Sequence, residues 1–595
     1  MCGIFGYWDR PRRPLTEEAL HGMARTLVHR GPDDEGIYHR PERGVAVGNR
    51  RLSIIDLGGG HQPFTSDDGR VALVQNGEIF NYVELAAELR EQGVRLNTHS
   101  DTEVILRLYE REGIACLRRL NGMFAIAIDD AREDVLYLAR DRIGVKPLYV
   151  RDDGQRAVFA SEPKALWSAL EGRVPGMDLQ AIHHYLTFNY VPPPWTAFEG
   201  VRHVMPGTWE KFTRGRHVQT ERWWRLSDQR ERDYGFEDWA AELMALLDDA
   251  TRIRLRADVP FGAFLSGGVD SSTIVGLMSR HVREPVRSFC IGFEDPDYDE
   301  SAAALKAAQR FGCQHTSEVV ELNMLARWPR VLYHLDQPHG DASFMPTLRV
   351  SELAAKHVKV VLTGDGGDEL FAGYDKYSRF FARSEAFTLP QAAFERGYFD
   401  SISLFGPQAK LRLYRSGVRA QLVDIDSFTV AEPWFAESRQ LDRVNQALYL
   451  DMQLLLSGNN LVKPDRMGMA ASIEARTPFL DWRVMEFAFR SRGATKLAAS
   501  GEKKYWFKRA ASALIGEELA YRNKQMFTVP IGDWFRSSLH GWLRETLSGS
   551  EIIGSLFDSA VIAAMLDGHR DGTANFTREL RALAALAIWH RGQFA

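Results

Sequence analysis

The sequence has few cysteines, and their spacing indicates neither a disulfide framework nor a zinc site. Four cysteines occur in 595 residues, at positions 2, 116, 290 and 313, and no two are spaced as CxxC. A disulfide-rich secreted scaffold and a structural zinc domain are therefore not predicted. Three of them lie in apolar or mixed segments, where cysteine usually serves as a small core residue. Cys2 differs from them in its position at the start of the chain.

Long apolar runs and a strong excess of one charge are also missing. No apolar stretch is long enough to span a bilayer, and Asp9 interrupts the apolar start, which argues against a signal peptide. We therefore expect a cytoplasmic protein. The formal net charge of -5 gives no indication of a nucleic-acid or membrane partner. A chain of 595 residues is too long for one hydrophobic core, so two or more domains are expected.

The first part of the chain, residues 1–212, alternates short strands with polar turns. VALVQNGEIFN (residues 71–81) predicts a strand running into an Asn-Gly turn. MFAIAIDDAREDVLYLARD (residues 123–141) predicts two strands around a charged turn. Between them lie stretches with apolar residues three and four apart, such as DTEVILRLYEREG (residues 101–113), which predict helices. The pattern indicates an antiparallel sheet covered by helices.

The sequence pattern changes after residues 213–234, a polar stretch that we interpret as a linker. An amphipathic helix, GFEDWAAELMALLDDATRIRL (residues 235–255), is followed by strand-loop-helix units. Strands that alternate with helices predict a parallel α/β sheet, and the C-terminal third is mainly helical in pattern. We therefore predict a second domain over residues 235–595.

SGGVDSS (Ser266–Ser272) follows a predicted strand and opens a predicted helix. Glycines allow the backbone to approach an anion closely, and a helix N-terminus offers free N–H groups to phosphate oxygens. Asp270 would repel phosphate unless a cation bridges the two, which indicates Mg²⁺. The segment lacks the GK[ST] of a Walker loop. It resembles the pyrophosphate-binding loop of the ATP pyrophosphatase families, which cleave ATP to AMP and pyrophosphate.

A second acidic loop, LTGDGGDELFAGY (residues 362–374), has the same character. A buried strand is predicted to end at Thr363, and a glycine-rich bend then carries Asp365, Asp368 and Glu369. Ligands of open parallel sheets bind beyond the carboxyl ends of the strands, so both acidic loops are expected there. Asp270 and Asp368 are predicted to share a Mg²⁺ on the pyrophosphate.

Cys2 becomes the first residue if Met1 is removed. Its α-amine, whose pKa would lie near neutrality, could then act as a general base for its own thiol. A cysteine at position two is not informative by itself, and its interpretation depends on the other motifs in the same part of the chain. HRGPDDEG starts at His29, NRRLSIIDL at Asn49, QNGEIFN at Gln75 and SDTE at Ser100. Together these stretches resemble the glutamine amidotransferase domain of the N-terminal-nucleophile class, a four-layer αββα fold.

The resemblance implies a role for each matching residue. Cys2 attacks the side-chain amide of glutamine, and Asn76 with the backbone N–H of Gly77 forms the oxyanion hole. Arg51 pairs with the α-carboxylate of glutamine. The two residues that hold its α-ammonium are Glu78 and Asp101.

Arg30 and Asp33 also match that family. We interpret both as residues that support the structure of their loop.

The whole chain resembles the glutamine-hydrolysing asparagine synthetase family. The second half adds ASIEARTPFLD (Ala471 to Asp481) and GEKKYWFKRA (Gly501 to Ala510). In that family an acceptor carboxylate attacks the α-phosphate of ATP, giving an acyl-adenylate and pyrophosphate. Ammonia that arrives through an internal tunnel then displaces AMP. The resemblance implies ATP, Mg²⁺, small-molecule substrates and a homodimer.

The match also assigns the ATP site. Lys504 matches the lysine that contacts the phosphates and the adenylate, with Lys503 as the alternative. The positions expected around ATP are Leu265, Ser266, Gly267, Gly268, Asp270, Ser271, Ser272, Ile291, Thr363 and Gly364. Four further motif residues, Asp465, Arg466, Glu474 and Arg476, fit either an internal ion-pair network or direct substrate contact.

One departure bears on the acceptor. The resembled synthetases carry glutamate in an SGEG stretch, whereas this chain has Asp365 in TGDGGDE. Many relatives with the TGDGGDE form amidate other carboxylates in polysaccharide or secondary-metabolite pathways. We expect Asp365 to assist the attack of ammonia and aspartate to be the acceptor, with another carboxylate as the alternative.

Two other classes of function fit the sequence less well. A cyclase of the β-lactam synthetase kind resembles the same two-domain chain but lacks the nucleophilic cysteine. The intact set of Cys2, Arg51, Asn76 and Asp101 argues against it. A non-enzymatic interaction module is disfavoured because both sites are intact.

Overall fold

The computed structural model describes residues 2–9, 14–213, 216–296, 298–320, 323–522 and 531–594. Within them the strands form three sheets. The strands are β1 Cys2–Asp9, β2 Asp34–Arg40, β3 Val45–Arg51, β4 Phe64–Thr65, β5 Val71–Ile79, β6 Gly122–Asp130, β7 Val135–Arg140, β8 Tyr149–Asp152, β9 Arg156–Ala160, β10 Val201–His203, β11 Thr208–Thr213, β12 Arg216–Arg222, β13 Phe261–Phe264, β14 Arg287–Phe293, β15 Gln314–Val320, β16 Val360–Leu362 and β17 Glu474–Arg476.

Helices cover the sheets and make up most of the C-terminal half. The helices are α1 Glu17–Thr26, α2 Tyr82–Glu91, α3 Asp101–Glu112, α4 Leu166–Ala169, α5 Leu179–Phe188, α6 Phe236–Arg254, α7 Val269–His281, α8 Ser301–Arg310, α9 Trp328–Leu335, α10 Phe344–Ala355, α11 Gly367–Leu370, α12 Asp375–Phe381, α13 Gln391–Ile402, α14 Pro407–Leu413, α15 Ser416–Leu422, α16 Glu432–Ser438, α17 Arg443–Asp451, the π-helix Met452–Asn460, α18 Val462–Ala470, α19 Trp482–Arg490, α20 Tyr505–Ile515, α21 Glu517–Ala520, α22 Ile531–Arg536, α23 His540–Ser548, α24 Glu551–Leu556, α25 Ser559–Arg570 and α26 Thr577–Phe594. Among the described residues, no helix combines the length and apolar character needed to cross a membrane.

The first part of the chain is a four-layer αββα structure, as predicted. Two antiparallel sheets, ordered β10-β8-β9-β1-β3-β2 and β12-β11-β7-β6-β5-β4, pack face to face. Successive side chains of a strand point to opposite faces. Ile4 and Trp8 of β1 therefore pack against the second sheet. Phe5 and Tyr7 pack in the cluster that contains α1 on the other face. Helices α2 and α3 cover the second sheet from outside.

The expected Asn-Gly turn is wrong. Strand β5 continues through Asn76 and Gly77 to Ile79, and it pairs with β6 along its whole length. Gly77 has a φ of +152°, and a Cβ there would lie 2.0 Å from the carbonyl oxygen of Met123. The glycine therefore serves the close approach of two strands, and no reversal of the chain occurs at this point.

The predicted linker, residues 213–234, includes strand β12. This strand pairs with β11 and extends the second sheet at its edge. Helix α6 follows, and the alternation of strands and helices then builds a third sheet of five parallel strands. The position of the domain boundary stays a prediction.

The third sheet has the order β15-β14-β13-β16-β17. Strand β13 pairs with β14 on one side and with β16 on the other. The order of the strands reverses at this point, and such a reversal opens a crevice beyond the carboxyl ends of the strands. The two acidic loops follow β13 and β16, so both lie at this crevice, as the sequence predicted.

Candidate functional sites

Cys2 opens β1, a central strand of the first sheet, so the start of the chain is fixed in place. Its backbone N–H donates to Oδ1 of Asn76 at 3.1 Å, and its side chain is buried. Burial raises the pKa of the Cys2 thiol, although contacts with Asn49 and Leu52 and the charge of Arg51 act in the opposite direction. The thiol therefore needs a base when it reacts.

Asn76 joins the strand that carries it to the strand of the cysteine. Its Nδ2 donates to the hydroxyl of Ser161 at 3.4 Å, and that hydroxyl also accepts the backbone N–H of Ile4 at 3.0 Å. Ser161 was not singled out from the sequence, because one serine at the end of β9 carries no motif. The amide of Asn76 and the backbone of Gly77 thus lie beside Cys2.

Arg51 lies directly opposite Cys2 in the pairing of β1 with β3. Its guanidinium donates to the carbonyl oxygens of Ile55 at 3.0 Å and Asp56 at 2.8 Å. A Cβ on Gly60 would lie 2.2 Å from Nη2 of Arg51, so the loop passes close only because glycine is there. The guanidinium is held next to the cysteine by backbone atoms.

Glu78 and Asp101 form a buried acidic corner beside this site. Oδ2 of Asp101 accepts the backbone N–H of Ile79 at 2.9 Å. Glu78 Oε2 is buried and makes no hydrogen bond with any residue that the structure describes. Burial and the neighbouring carboxylates of Glu474 and Asp101 raise the pKa of Glu78 well above its ordinary value. A bound ammonium group would favour the ionised forms of both acids.

The loop after β13 is shaped by its serines and glycines. The Ser266 hydroxyl lies 3.1 Å from that of Ser271 and accepts the backbone N–H of Gly268 at 3.3 Å. Gly267 has a φ of +72°, and a Cβ there would meet the carbonyl carbon of Ala303 at 2.4 Å. Helix α7 then starts at Val269. This geometry presents a helix N-terminus of the kind that binds phosphate.

The two acidic loops touch each other through glycines. A Cβ on Gly364 would lie 2.8 Å from the Cβ of Asp270, and one on Gly367 would lie 2.5 Å from Oδ1 of Asp270. Thr363 donates its hydroxyl to Oδ2 of Asp365 at 2.7 Å. Of the other predicted positions, Leu265, Ile291 and Ser272 are buried around the base of this crevice.

Lys504 reaches into this crevice and joins the two loops. Its Nζ contacts Asp270 and lies 2.7 Å from Oδ1 of Asp368. Burial by itself would lower the pKa of Lys504, but the two carboxylates raise it above its ordinary value. Lys503 instead pairs with the exposed Asp375. The geometry therefore favours Lys504 over its neighbour as the lysine of the site.

The pair of Asp270 and Asp368 fits a magnesium ion that substrate phosphates help to hold. One cationic group, the ammonium of Lys504, already contacts both carboxylates. Among the described residues, no group of three or more His, Cys, Asp or Glu could hold a metal by itself. Mg²⁺ commonly binds one or two carboxylates together with phosphate oxygens and water.

Comparison with known proteins finds a family match for each part of the chain. Residues 1–224 match the glutamine amidotransferase domain, and residues 242–591 match the asparagine synthase family. The chain belongs to the asparagine synthase family. It is thus a glutamine-dependent amidotransferase with an asparagine synthase domain.

Relatives extend over nearly the whole chain. The chain is 31% identical to asparagine synthetase [glutamine-hydrolyzing] 1 of Bacillus subtilis, over 99% of this chain and 96% of that protein. It is 34% identical to a putative asparagine synthetase [glutamine-hydrolyzing] of Mycobacterium tuberculosis, over 99% and 97%. It is also 26% identical to amidase chry2 of Gibberella zeae, over 93% and 92%.

Buried ion pairs join the amidotransferase domain to the synthase domain. Arg30 is fully buried and binds Asp465 through two bonds of 2.9 and 3.1 Å, while its Nε donates to the carbonyl oxygen of Cys2 at 3.2 Å. Glu162 lies 2.7 Å from Arg466. The buried cluster also includes Lys146, Lys164 and Asp336. Arg30 therefore supports more than its own loop.

A second buried link runs through Arg476. Its Nη2 lies 3.7 Å from Oε1 of Glu78, and its Nε donates to Glu474 at 2.5 Å. Together with the Arg30 cluster, this favours an ion-pair network for Asp465, Arg466, Glu474 and Arg476. Asp33 adds a contact near the surface, accepting from Lys359 at 2.7 Å.

Proposed function

We propose that this enzyme transfers ammonia from glutamine to a carboxylate that ATP has activated. The observation that carries the proposal is the contact of Lys504 with both Asp270 and Asp368 at the crevice of the parallel sheet. Lysine and paired carboxylates at a glycine-rich loop suit a reaction at phosphorus, in which negative charge must be offset. The cysteine site in the same chain supplies the ammonia.

Glutamine hydrolysis would proceed on Cys2. The thiol sulfur attacks the amide carbon, and its proton passes to the α-amine of Cys2 once Met1 has been removed. Asn76 and the N–H of Gly77 stabilise the oxyanion of the tetrahedral intermediate, and the protonated α-amine returns its proton to the leaving nitrogen. Ammonia leaves, and water hydrolyses the remaining thioester to glutamate and the free thiol. Arg51 would bind the α-carboxylate of glutamine. The buried acids Glu78 and Asp101 would bind its α-ammonium.

Acceptor activation would take place between the two acidic loops. A carboxylate oxygen of the acceptor attacks the α-phosphorus of ATP, and pyrophosphate leaves. Mg²⁺ bound by Asp270 and Asp368 would neutralise charge on the phosphates. Ammonia then attacks the acyl carbon and AMP leaves, while Asp365 would take a proton from the attacking nitrogen. Lys504 offsets the charge of the phosphates and the adenylate.

Aspartate is the acceptor suggested by the names of the synthetase relatives. A second candidate keeps the chemistry and uses another carboxylate. Asp365 supports it, because this shorter side chain replaces the glutamate of the SGEG stretch. The relative named amidase chry2 also supports it.

The test is to incubate the purified enzyme with Mg-ATP, glutamine and aspartate and to measure asparagine, glutamate and pyrophosphate. Equal amounts of asparagine and pyrophosphate are expected if aspartate is the acceptor. Formation of glutamate without asparagine would exclude aspartate as the acceptor and would support the proposed glutaminase activity. Absence of both glutamate and pyrophosphate would contradict the proposed function. Light scattering of the same preparation tests the homodimer that we propose.

A further inference from the structure

A cavity of about 540 Å³ lies between helices of the synthase domain and the end of α5 in the amidotransferase domain. Its wall includes Arg379 of α12, Leu454 of the π-helix, Arg581 of α26 and Phe188 at the end of α5. The π-helix is unusual, because such segments are rare in proteins and occur frequently at functional sites. None of the roles proposed above uses this cavity.

A chain of hydrogen bonds connects the cavity to the second acidic loop. Asn459 lines the cavity, and its side chain donates to that of Asn460 at 2.8 Å. Asn460 in turn donates to Glu369 of the loop and to the hydroxyl of Tyr374 at 2.9 Å. Tyr374 donates to Glu369 at 2.7 Å. These hydrogen bonds place the cavity next to the segment that carries Asp365 and Asp368.

The cavity is too large for aspartate alone. A water molecule takes up about 30 Å³ of liquid, so the cavity has room for about 18 groups of that size, whereas aspartate has about nine non-hydrogen atoms. Several cavity-lining side chains are apolar or aromatic, among them Phe188, Tyr190, Phe380 and Leu454. The cavity therefore suits a ligand with an apolar or ring-shaped body.

The charge of the wall is positive overall. Five cationic and three anionic side chains line the cavity. Two of these charged side chains form an ion pair, since Nζ of Lys376 lies 2.8 Å from Oδ2 of Asp451. Arg379, Arg383 and Arg578 are exposed at the mouth.

Arg581 differs from the cations at the mouth because it is half-buried inside the cavity. Its Nε is buried and makes no hydrogen bond with the residues that the structure describes, although the charge of Asp341, which lines the same cavity, acts favourably on the guanidinium. Burial lowers the pKa of Arg581, as expected for a cation that has lost water. A buried guanidinium of this kind favours a bound anion, with which it can form two parallel hydrogen bonds.

We propose that this cavity binds the part of the acceptor that is remote from its reacting carboxylate. The acceptor is then larger than aspartate, has an apolar or ring-shaped body, and carries a distal anionic group that binds Arg581. This inference rests on the proposed function only for the reacting end of the acceptor. The distal group is a carboxylate or a phosphate, since both suit the guanidinium.

Binding is tested first, with probes of known length. Calorimetry compares succinate, adipate and suberate with monocarboxylates of the same lengths, and 6-phosphonohexanoate serves as the phosphate-like probe. We expect adipate or suberate to bind at least tenfold more tightly than succinate and than hexanoate or octanoate. Tighter binding of the phosphonate than of adipate would assign the distal group as phosphate, and the reverse order would assign it as carboxylate. Absence of binding by every dianionic probe would overturn the proposal.

Two substitutions on α26 make the test specific. Arg581→Ala should weaken binding of the long dianionic probes at least tenfold and leave that of the monocarboxylates within about twofold. Arg581→Lys should restore part of the affinity. Arg591→Ala, on the same helix but outside the cavity, is the control and should change nothing. Equal losses for dianionic probes and monocarboxylates in Arg581→Ala would overturn the role of Arg581.

Turnover separates this inference from the proposed function. Pyrophosphate release with Mg-ATP and ammonia is measured for the same probes and for aspartate. Pyrophosphate release that is fastest with a long dianionic probe would support both the cavity inference and the proposed function. Binding through Arg581 without pyrophosphate release from any carboxylate would support the cavity and contradict the proposed function. Release that is fastest with aspartate and unchanged in Arg581→Ala would overturn the inference and leave the proposed function standing.

Discussion

The two sites of this enzyme are built on different kinds of sheet. The cysteine site lies on paired antiparallel strands, where Cys2 is opposite Arg51 and every strand is fixed by its neighbours. The proposed ATP site lies on loops beyond the ends of parallel strands, and Lys504, which directly precedes α20, joins them. Strands position the proposed nucleophile, whereas loops leave room for the nucleotide and the metal ion that we propose.

This difference predicts that each chemistry can be removed without the other. The connection between the sites is a set of buried ion pairs, chiefly those of Arg30 and Arg476. Removing a reactive side chain at one site should therefore leave the other reaction intact. Removing a linking charge should instead destabilise the contact between the domains.

The largest effect is expected at the nucleophile. Cys2→Ala should lower glutamine-dependent amidation by about 10³-fold or more, while turnover with added ammonia stays near that of the wild type. Steady-state assays with each nitrogen source measure this. The control is Cys313→Ala, which replaces a half-buried cysteine that has no proposed role. Loss of both activities in folded Cys2→Ala protein would show that the sites are not separable.

The paired carboxylates should give the opposite result. Asp270→Ala and Asp368→Ala should each reduce pyrophosphate release by about 10²-fold or more and leave glutaminase activity measurable. Asp375→Ala, which removes an exposed carboxylate that pairs with Lys503 and Arg379, is the matched control. Normal release in both variants, with the Mg²⁺ dependence of the wild type, would refute the metal assignment.

Asp465→Ala tests the link between the two domains. It leaves the guanidinium of Arg30 buried without its main partner, which should cost about 3 to 5 kcal/mol of stability. The shift of the unfolding midpoint in denaturant measures the loss. Asp567→Ala breaks an exposed pair with Arg544 and should cost only about 0 to 1 kcal/mol. Equal shifts in the two variants would show that the link does not contribute to stability.

The smallest effect concerns the acidic corner. The pKa of Glu78 in the folded protein is raised above its unfolded value, so this group contributes stability at acidic pH that is lost as the pH rises through the folded pKa. Glu78→Gln resembles the protonated form. It should therefore match the wild type near pH 5 and be more stable near pH 8, while glutamine affinity falls.

Thermal unfolding of Glu78→Gln and the wild type across this pH range makes the comparison. Glu91→Gln, at an exposed position at the end of α2 in the same domain, controls for the loss of one negative charge. A stability difference between Glu78→Gln and the wild type that does not grow with pH would contradict the raised pKa of Glu78.

The motifs located both sites because each depends on local chemistry. Glycines at 267, 364 and 367 are needed where loops pass within contact distance, and the serines shape the start of α7. The sequence misjudged Asn76-Gly77, because an Asn-Gly pair favours a turn locally while pairing with β6 keeps the strand extended. Glu162, Lys146 and Asp336 were missed, since single charges in mixed segments carry no signal of their burial.

The sequence by itself determined the two domain types and predicted the nucleophile and the phosphate loop, because these depend on residue types at fixed local spacing. Only the tertiary structure decided that Lys504, and not Lys503, joins the two carboxylates, and that Arg30 binds Asp465 across the domains. It also decided where the cavity around Arg581 lies. These contacts join residues far apart in the chain, and their distances are set by how the sheets and helices pack.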